Sequence, residues 1–410
     1  MTWQAYHTVW LLFSLGWICN LLVRVHLGPL LPVLIQTWEI THAEAGLLAG
    51  AYFYTYVGMQ LPAGLLGDRF GSKRVLACGF LWAALCTLAS SLAPSFAILF
   101  ALRLLTGLGA GLFFSNDRAL IAAVTPPERM GTGQGLSFVG VGVGLSLGLF
   151  LPGLIAEHWG WRAVFPVIAL PTMGIGIAML LCVHEPTRAR TTERRPWRSV
   201  RDSVVRADLW ALYLAGTALI YTLYCVVTWS PAIVAEVGVT AVGASAQYAS
   251  VLGLAGIPGI ILTGWWSDRW VRAGRRRTGV AAIEFALLAS FMAALGLAVQ
   301  LHASVWVVMV LLCGIGFVVW GVWSPMYALI PDMVPATSYA TTFGLANSVW
   351  FAGAMLSPWL TGKLKDLTGS FALGLYAAAG LLVIGMVLVQ GVRPTTAVKS
   401  RGMPPLNRSS

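Results

Sequence analysis

The apolar residues of this chain come in long runs, separated by short junctions that carry glycine, proline or charge. Within the runs apolar and polar residues do not alternate, which excludes a β-barrel and predicts helices. A bilayer core of roughly 30 Å needs about 20 apolar residues per helix. Twelve runs meet that length: 8–35, 42–66, 75–93, 95–117, 131–155, 162–183, 209–234, 244–267, 279–300, 303–328, 338–362 and 371–391. The first leads into more membrane without a small-residue cleavage site, so it reads as a span and not as a signal peptide. The expectation is an all-α membrane protein with twelve transmembrane helices and both termini on one side.

One long polar stretch interrupts the pattern, "HEPTRARTTERRPWRSVRDSVVRADLW" at 184–210. It divides the chain into an N-terminal six-helix bundle (1–183), a linker (184–208), a second six-helix bundle (209–392) and a tail (393–410) expected to be disordered. The halves echo each other. "GLLGDRFGSKRV" (64–75) follows the second span and "GWWSDRWVRAGRRRTG" (264–279) the eighth, and both read G-x-x-x-D-R at a spacing of 200 residues. A weaker echo joins "AEHWGW" (156–161) to "LKDLTGS" (364–370), each with an acid three residues before a glycine. Repeated halves are the signature of secondary transporters, with the site at the midplane between them.

Composition agrees with the pattern. Only 10% of the 410 residues are charged and 58% are hydrophobic, against about 25% charged in a soluble domain. The net charge of +11 is explained by its placement. With the N-terminus cytoplasmic, twenty lysines and arginines fall in inner loops and three (Arg162, Lys363, Lys365) in outer ones. That asymmetry fixes the orientation and sets the basic residues against anionic lipid, not nucleic acid. The expected location is the cytoplasmic (inner) membrane, with both termini cytoplasmic and the lipid bilayer and a small solute as partners of a monomer. The six cysteines are scattered inside apolar runs without C-x-x-C spacing, so neither disulfides nor a metal site is expected. No serine–histidine, paired-acid or metal constellation lies at one depth, so no enzyme and no cofactor is expected.

The chemistry centres on Arg24, in the middle of "NLLVRVHLGPLLPVLI" (20–35). An arginine at mid-bilayer costs about 2.5–3.5 kcal/mol on insertion scales and persists when it faces a wet cavity or a partner. None of the fifteen acids falls at its depth; Asp117 and Glu284 come closest, toward the inner ends of their spans. An anionic substrate would supply the missing charge, since guanidinium grips carboxylate or phosphate bidentately. Arg103 either adds a second charge or packs between helices with its guanidinium on carbonyls. Asn20, one turn before Arg24, can orient it or touch substrate; His26 points away. Helical spacing aligns Tyr52, Tyr56 and Gln60, then Tyr221 with Tyr224, then Trp320, Trp323 and Tyr327, then Asn347 with Phe351. Each stripe lines the pathway or packs.

These motifs resemble the major facilitator superfamily, over nearly the whole chain. The resemblance rests on the two G-x-x-x-D-R loops and on "RLLTGLGAG" (103–111), which matches the fourth-helix pattern R-x-x-x-G-x-x-x-G. It implies that Gly64, Asp68, Arg69, Gly71 and Arg74, with Gly264, Asp268 and Arg269, form a conformational latch on the cytoplasmic side. In that latch glycine allows close helix contact, and aspartate pairs with basic residues or a helix N-terminus. "LVRVHLGPLLP" (22–32), with arginine eight residues before proline, resembles the first helix of the organophosphate:phosphate antiporters and of the anion:cation symporters. Three positions depart from those patterns. Val23 and Ala110 stand where the symporters carry carboxylates, and Leu223 where the phosphate antiporters carry a second arginine. Proton symport and a doubly charged phosphate ester are thereby disfavoured, and a monoanionic or aromatic-bearing substrate fits better. The expected function is secondary active transport of a small organic anion, a carboxylate or phosphate ester, by alternating access. The alternatives are a neutral or inorganic solute, drug/proton antiport, and a non-transporting sensor.

Overall fold

The computed structural model describes residues 4–126, 129–183, 206–334 and 339–392. Among the described residues every regular element is a helix, and the helices assemble into twelve spans. Span 1 is Ala5–Val25 with Leu27–Trp38, span 2 His42–Phe70, span 3 Ser72–Ser90. Span 4 is Phe96–Gly111 with Phe113–Val124, span 5 Met130–Trp159, span 6 Trp161–Cys182. The second half repeats this: span 7 is Ala207–Glu236, span 8 Val242–Ala249 with Val251–Arg272, span 9 Arg277–Gln300. Span 10 is Val305–Gly321 with Trp323–Met333, span 11 Tyr339–Thr368 and span 12 Ala372–Gly391. The linker and tail expected at 184–208 and 393–410 fall almost entirely outside the described residues.

Helix ends are set by capping, not by where apolarity stops, so several spans exceed the expected bounds. Span 2 starts at a capping box. The Thr41 hydroxyl accepts from the Glu44 N–H (3.1 Å), and the Glu44 carboxylate accepts from the Thr41 N–H (2.8 Å). It ends at Gly71, whose φ of +92° is open to glycine. Spans 1 and 10, expected to be continuous, are each broken. Pro29 has no N–H for the Val25 carbonyl and Pro325 none for Gly321, and the helices interrupt at His26 and Val322.

Among the described residues, ten helices are long and apolar enough to cross a membrane. Spans 2 and 11 fall short on apolarity because they pack along each other between the halves and carry tyrosines, Gln60, Asn347 and Asp366. Span 1 crosses span 7 in the same interface. There Arg24 meets Tyr224, and Gly28 approaches the Thr228 carbonyl so closely that an added Cβ would stand 3.0 Å from it. Both pairs lie 200 residues apart, the spacing of the two G-x-x-x-D-R loops. Equivalent residues of the two bundles therefore face each other across a pseudo-two-fold axis.

Within the first bundle, Gly107 and Gly111 bring span 4 onto span 2. A Cβ at Gly107 would overlap the Tyr52 carbonyl and the Thr55 hydroxyl. Gly107→Val is expected to destabilise the fold by about 1–3 kcal/mol of overpacking, seen as a lower melting temperature and yield. Gly58→Val, at a position with open space around it, should leave both near wild type. Equal melting of the two variants would remove the close-packing role of Gly107.

Candidate functional site

Arg24 sits in the last helical turn before the break in span 1 and is 7% exposed. The guanidinium donates from Nη2 to the Asn20 Oδ1 (3.0 Å) and from Nη1 to the Tyr224 hydroxyl (3.4 Å). It lies 4.7 Å from the Tyr56 ring centroid, 5.6 Å from Tyr52 and 5.7 Å from Phe351, within cation–π range. Its Nε has no partner among the described residues, and no carboxylate there pairs with it. The buried acids nearest in depth are engaged elsewhere. Asp117 accepts from the Trp17 indole (2.9 Å) and from Arg118 Nε (2.9 Å), and Glu284 accepts from the Thr263 hydroxyl (2.6 Å). Arg24 is thus a desolvated cation on the axis, with free donor capacity and a wall of aromatic faces.

The two roles open for Arg103 are separated by its contacts. Its guanidinium and that of Arg24 both lie over the Tyr52 ring. Arg103 is 1% exposed and donates to the carbonyls of Val23 (2.9 Å) and Arg24 (3.2 Å). Its guanidinium lies 5.2 Å from the Tyr52 ring centroid. The two carbonyl bonds place it behind the turn that carries Arg24.

The aromatic stripes divide as well. Tyr52, Tyr56, Tyr224 and Phe351 gather at Arg24, with Tyr52 and Tyr56 stacked at 5.5 Å. Phe53, absent from the expected set, joins them at 4.4 Å from Tyr224 and 5.9 Å from Phe351. The spacing of Phe53, Tyr56 and Gln60 already describes a helix face overlapping the one assigned, so that signal was present. Trp323 instead packs on Trp350 and Tyr327 inside the second bundle (5.2 and 5.4 Å). Trp320 packs over Gly256 of span 8. Neither contacts the Arg24 cluster through any of these rings. Tyr221 is buried in the span 7–span 11 contact, where its carbonyl accepts from Ser357 and Gly353 approaches its backbone. Asn347 is buried one turn from Phe351. His26 packs edge-on against Phe165 and its Nδ1 meets the Leu22 carbonyl.

At the arginine-rich face, charged loop residues meet acids and aromatic rings. The Asp268 carboxylate pairs with Arg277 at the start of span 9 (3.3 Å), and Arg277 also reaches Asp332 at the end of span 10 (3.4 Å). Arg69 lies over the Phe70 ring, Arg269 over Trp265, and Arg74 is exposed. The Asp68 side chain is outside the described residues. The close-contact role expected at Gly64 belongs instead to Gly67, whose added Cβ would strike the Asn116 side chain; Gly64 has open space. Gly264 approaches Ser324 of span 10, at 3.0 Å from an added Cβ.

Two pseudo-symmetric six-helix bundles, crossed on an axis with a buried cation between them, define a membrane transporter and not an enzyme. The Major Facilitator Superfamily model matches residues 13–358, and the chain belongs to that family. It is 25% identical to the niacin transporter of Acinetobacter baylyi, over 93% of this chain and 94% of that one. It is 28% identical to the 3-(3-hydroxy-phenyl)propionate transporter of Escherichia coli K12, over 86% and 83%. Among solved structures it superposes on an inward-facing, unoccupied bacterial homolog of the human lysosomal transporter Spinster. That match has a TM-score of 0.80 and 19% identity over 98% of this chain and 100% of that one.

Proposed function

We propose that the protein is a secondary carrier of small aromatic monocarboxylates, working as a monomer in the cytoplasmic membrane by alternating access between residues 1–183 and 209–392. The observation that carries this reading is the Arg24 cluster: a buried guanidinium without a carboxylate partner among the described residues, walled by Tyr52, Tyr56, Tyr224 and Phe351. A carboxylate satisfies the open donors, and a flat apolar body stacks on the rings. A cationic drug would be repelled. A phosphate dianion is disfavoured by Leu223, which stands where the phosphate antiporters carry a second arginine. The names of the two relatives, for niacin and for a phenylpropionate, denote small aromatic acids and point the same way. Loop charge supports cytoplasmic termini, with the arginine-rich face inward.

Purified protein should therefore be stabilised by benzoate and nicotinate at millimolar concentration and not by benzamide and nicotinamide. A rise in melting temperature produced only by phosphates, or equally by acids and amides, would count against the aromatic-acid reading.

A further inference from the structure

On the face away from the arginine-rich loops, each bundle sends an acid onto a helix start of the other. Asp366, in the last turn of span 11, accepts from the backbone N–H of His42 (3.0 Å) and of Ala43 (2.8 Å) at the start of span 2. The His42 ring Nδ1 lies 2.7 Å from the same carboxylate. Glu157, in the last turn of span 5, accepts from the backbone N–H of Gly243 at the start of span 8 (2.8 Å). A Cβ at Gly243 would overlap that carboxylate.

The two contacts are one device used twice. Spans 2 and 8 occupy equivalent places in the halves, as do spans 5 and 11. Each acid precedes by three residues a glycine of positive φ that ends its helix: Gly160 at +80° and Gly369 at +74°. The sequence echo of 156–161 with 364–370 thus marks a pair of contacts across the interface. The physics favours them. The first N–H groups of a helix have no partner within it, and a carboxylate there meets both donors and the positive end of the helix dipole. Glu236 braces the segment that carries Asp366, accepting from Lys365 (2.8 Å) and Ser370 (2.6 Å). Below each contact the seam between halves is tight. Added Cβ atoms at Gly46 and Gly253 would overlap the carbonyls of Pro358 and Gly142, and Ser146 donates to the Ser250 carbonyl (2.8 Å).

We infer that Glu157 and Asp366 are a duplicated latch that holds this face of the carrier closed, by capping helix starts of the opposite bundle, and that both caps release when the face opens. The inference rests on the alternating-access reading. The test uses full-length protein with its six cysteines replaced and spin labels at Leu92→Cys and Leu301→Cys, exposed loop positions of the two halves on the latch face. Glu157→Ala and Asp366→Ala should each lower the ratio of short to long distances about fivefold. The double variant should lower it about 25-fold if the caps act independently. Asp366→Asn, which keeps an acceptor oxygen, should fall between wild type and Asp366→Ala. Melting temperatures confirm that the compared proteins are folded. A folded double variant with the wild-type distance distribution would overturn the latch. A second label pair at Ala123→Cys and Ala273→Cys, on the arginine-rich face, isolates the underlying reading. If the latch face opens and this pair does not close in step, the latch stands and alternating access fails.

Discussion

Arg24→Ala is expected to abolish most uptake per folded molecule while leaving the protein folded. Removing one partner of a buried, charge-assisted pair costs about 2–5 kcal/mol of binding, roughly 30- to several-thousand-fold in affinity. The fold should tolerate the change. Among the described residues Arg24 donates to Asn20 and the Tyr224 hydroxyl, and the substitution removes a desolvated charge. Arg24→Lys should also be damaging. An ammonium can still sit over Tyr56, but it is a point charge without the planar fork that meets both oxygens of a carboxylate. The check is uptake normalised to the amount of folded carrier, with the melting temperature beside it. Loss of uptake in proportion to loss of folded protein would make Arg24 a structural residue.

Arg103→Met should behave in the opposite way, with a large loss of stability. Its guanidinium, 1% exposed, holds the Val23 and Arg24 carbonyls next to the break in span 1. Each carbonyl left unsatisfied costs about 1–3 kcal/mol, a large share of the stability of a typical domain. The surviving folded fraction should also carry solute poorly, because the turn that aims Arg24 is loosened. Arg103→Lys should restore part of the stability, since an ammonium can serve one carbonyl well. A Met variant that melts like wild type but has lost affinity would instead place Arg103 in contact with the solute.

Much of this was legible in the chain because membranes punish charge. Arg24 stood out as a cation inside an apolar run with no acid at its depth, and twelve apolar runs gave the spans. The 200-residue repeat was visible in the loops, and in the structure the same offset joins Arg24 to Tyr224. What stayed hidden depends on side-chain direction and on contacts between distant helices. Arg103 meets the Val23 and Arg24 carbonyls next to the break at His26, a contact that helical spacing does not show. Trp320 and Trp323 share a helical stripe with Tyr327, yet span 10 is interrupted at Val322, and the tryptophans turn into packing against Gly256 and Trp350. The echo at Glu157 and Asp366 was readable as sequence, but its meaning needed the partner helices, Gly243 and His42, which are far away in the chain.

The most direct measurement varies the charge of the ligand and of the protein together. Binding of benzoate and of benzamide is measured on purified wild type and on Arg24→Ala, giving four affinities. If Arg24 anchors the carboxylate, wild type should favour benzoate by about 30-fold or more. The Ala variant should bind the acid no better than the amide. A preference for benzoate that survives intact in folded Arg24→Ala would contradict the account, because the carboxylate would then be held by some other group.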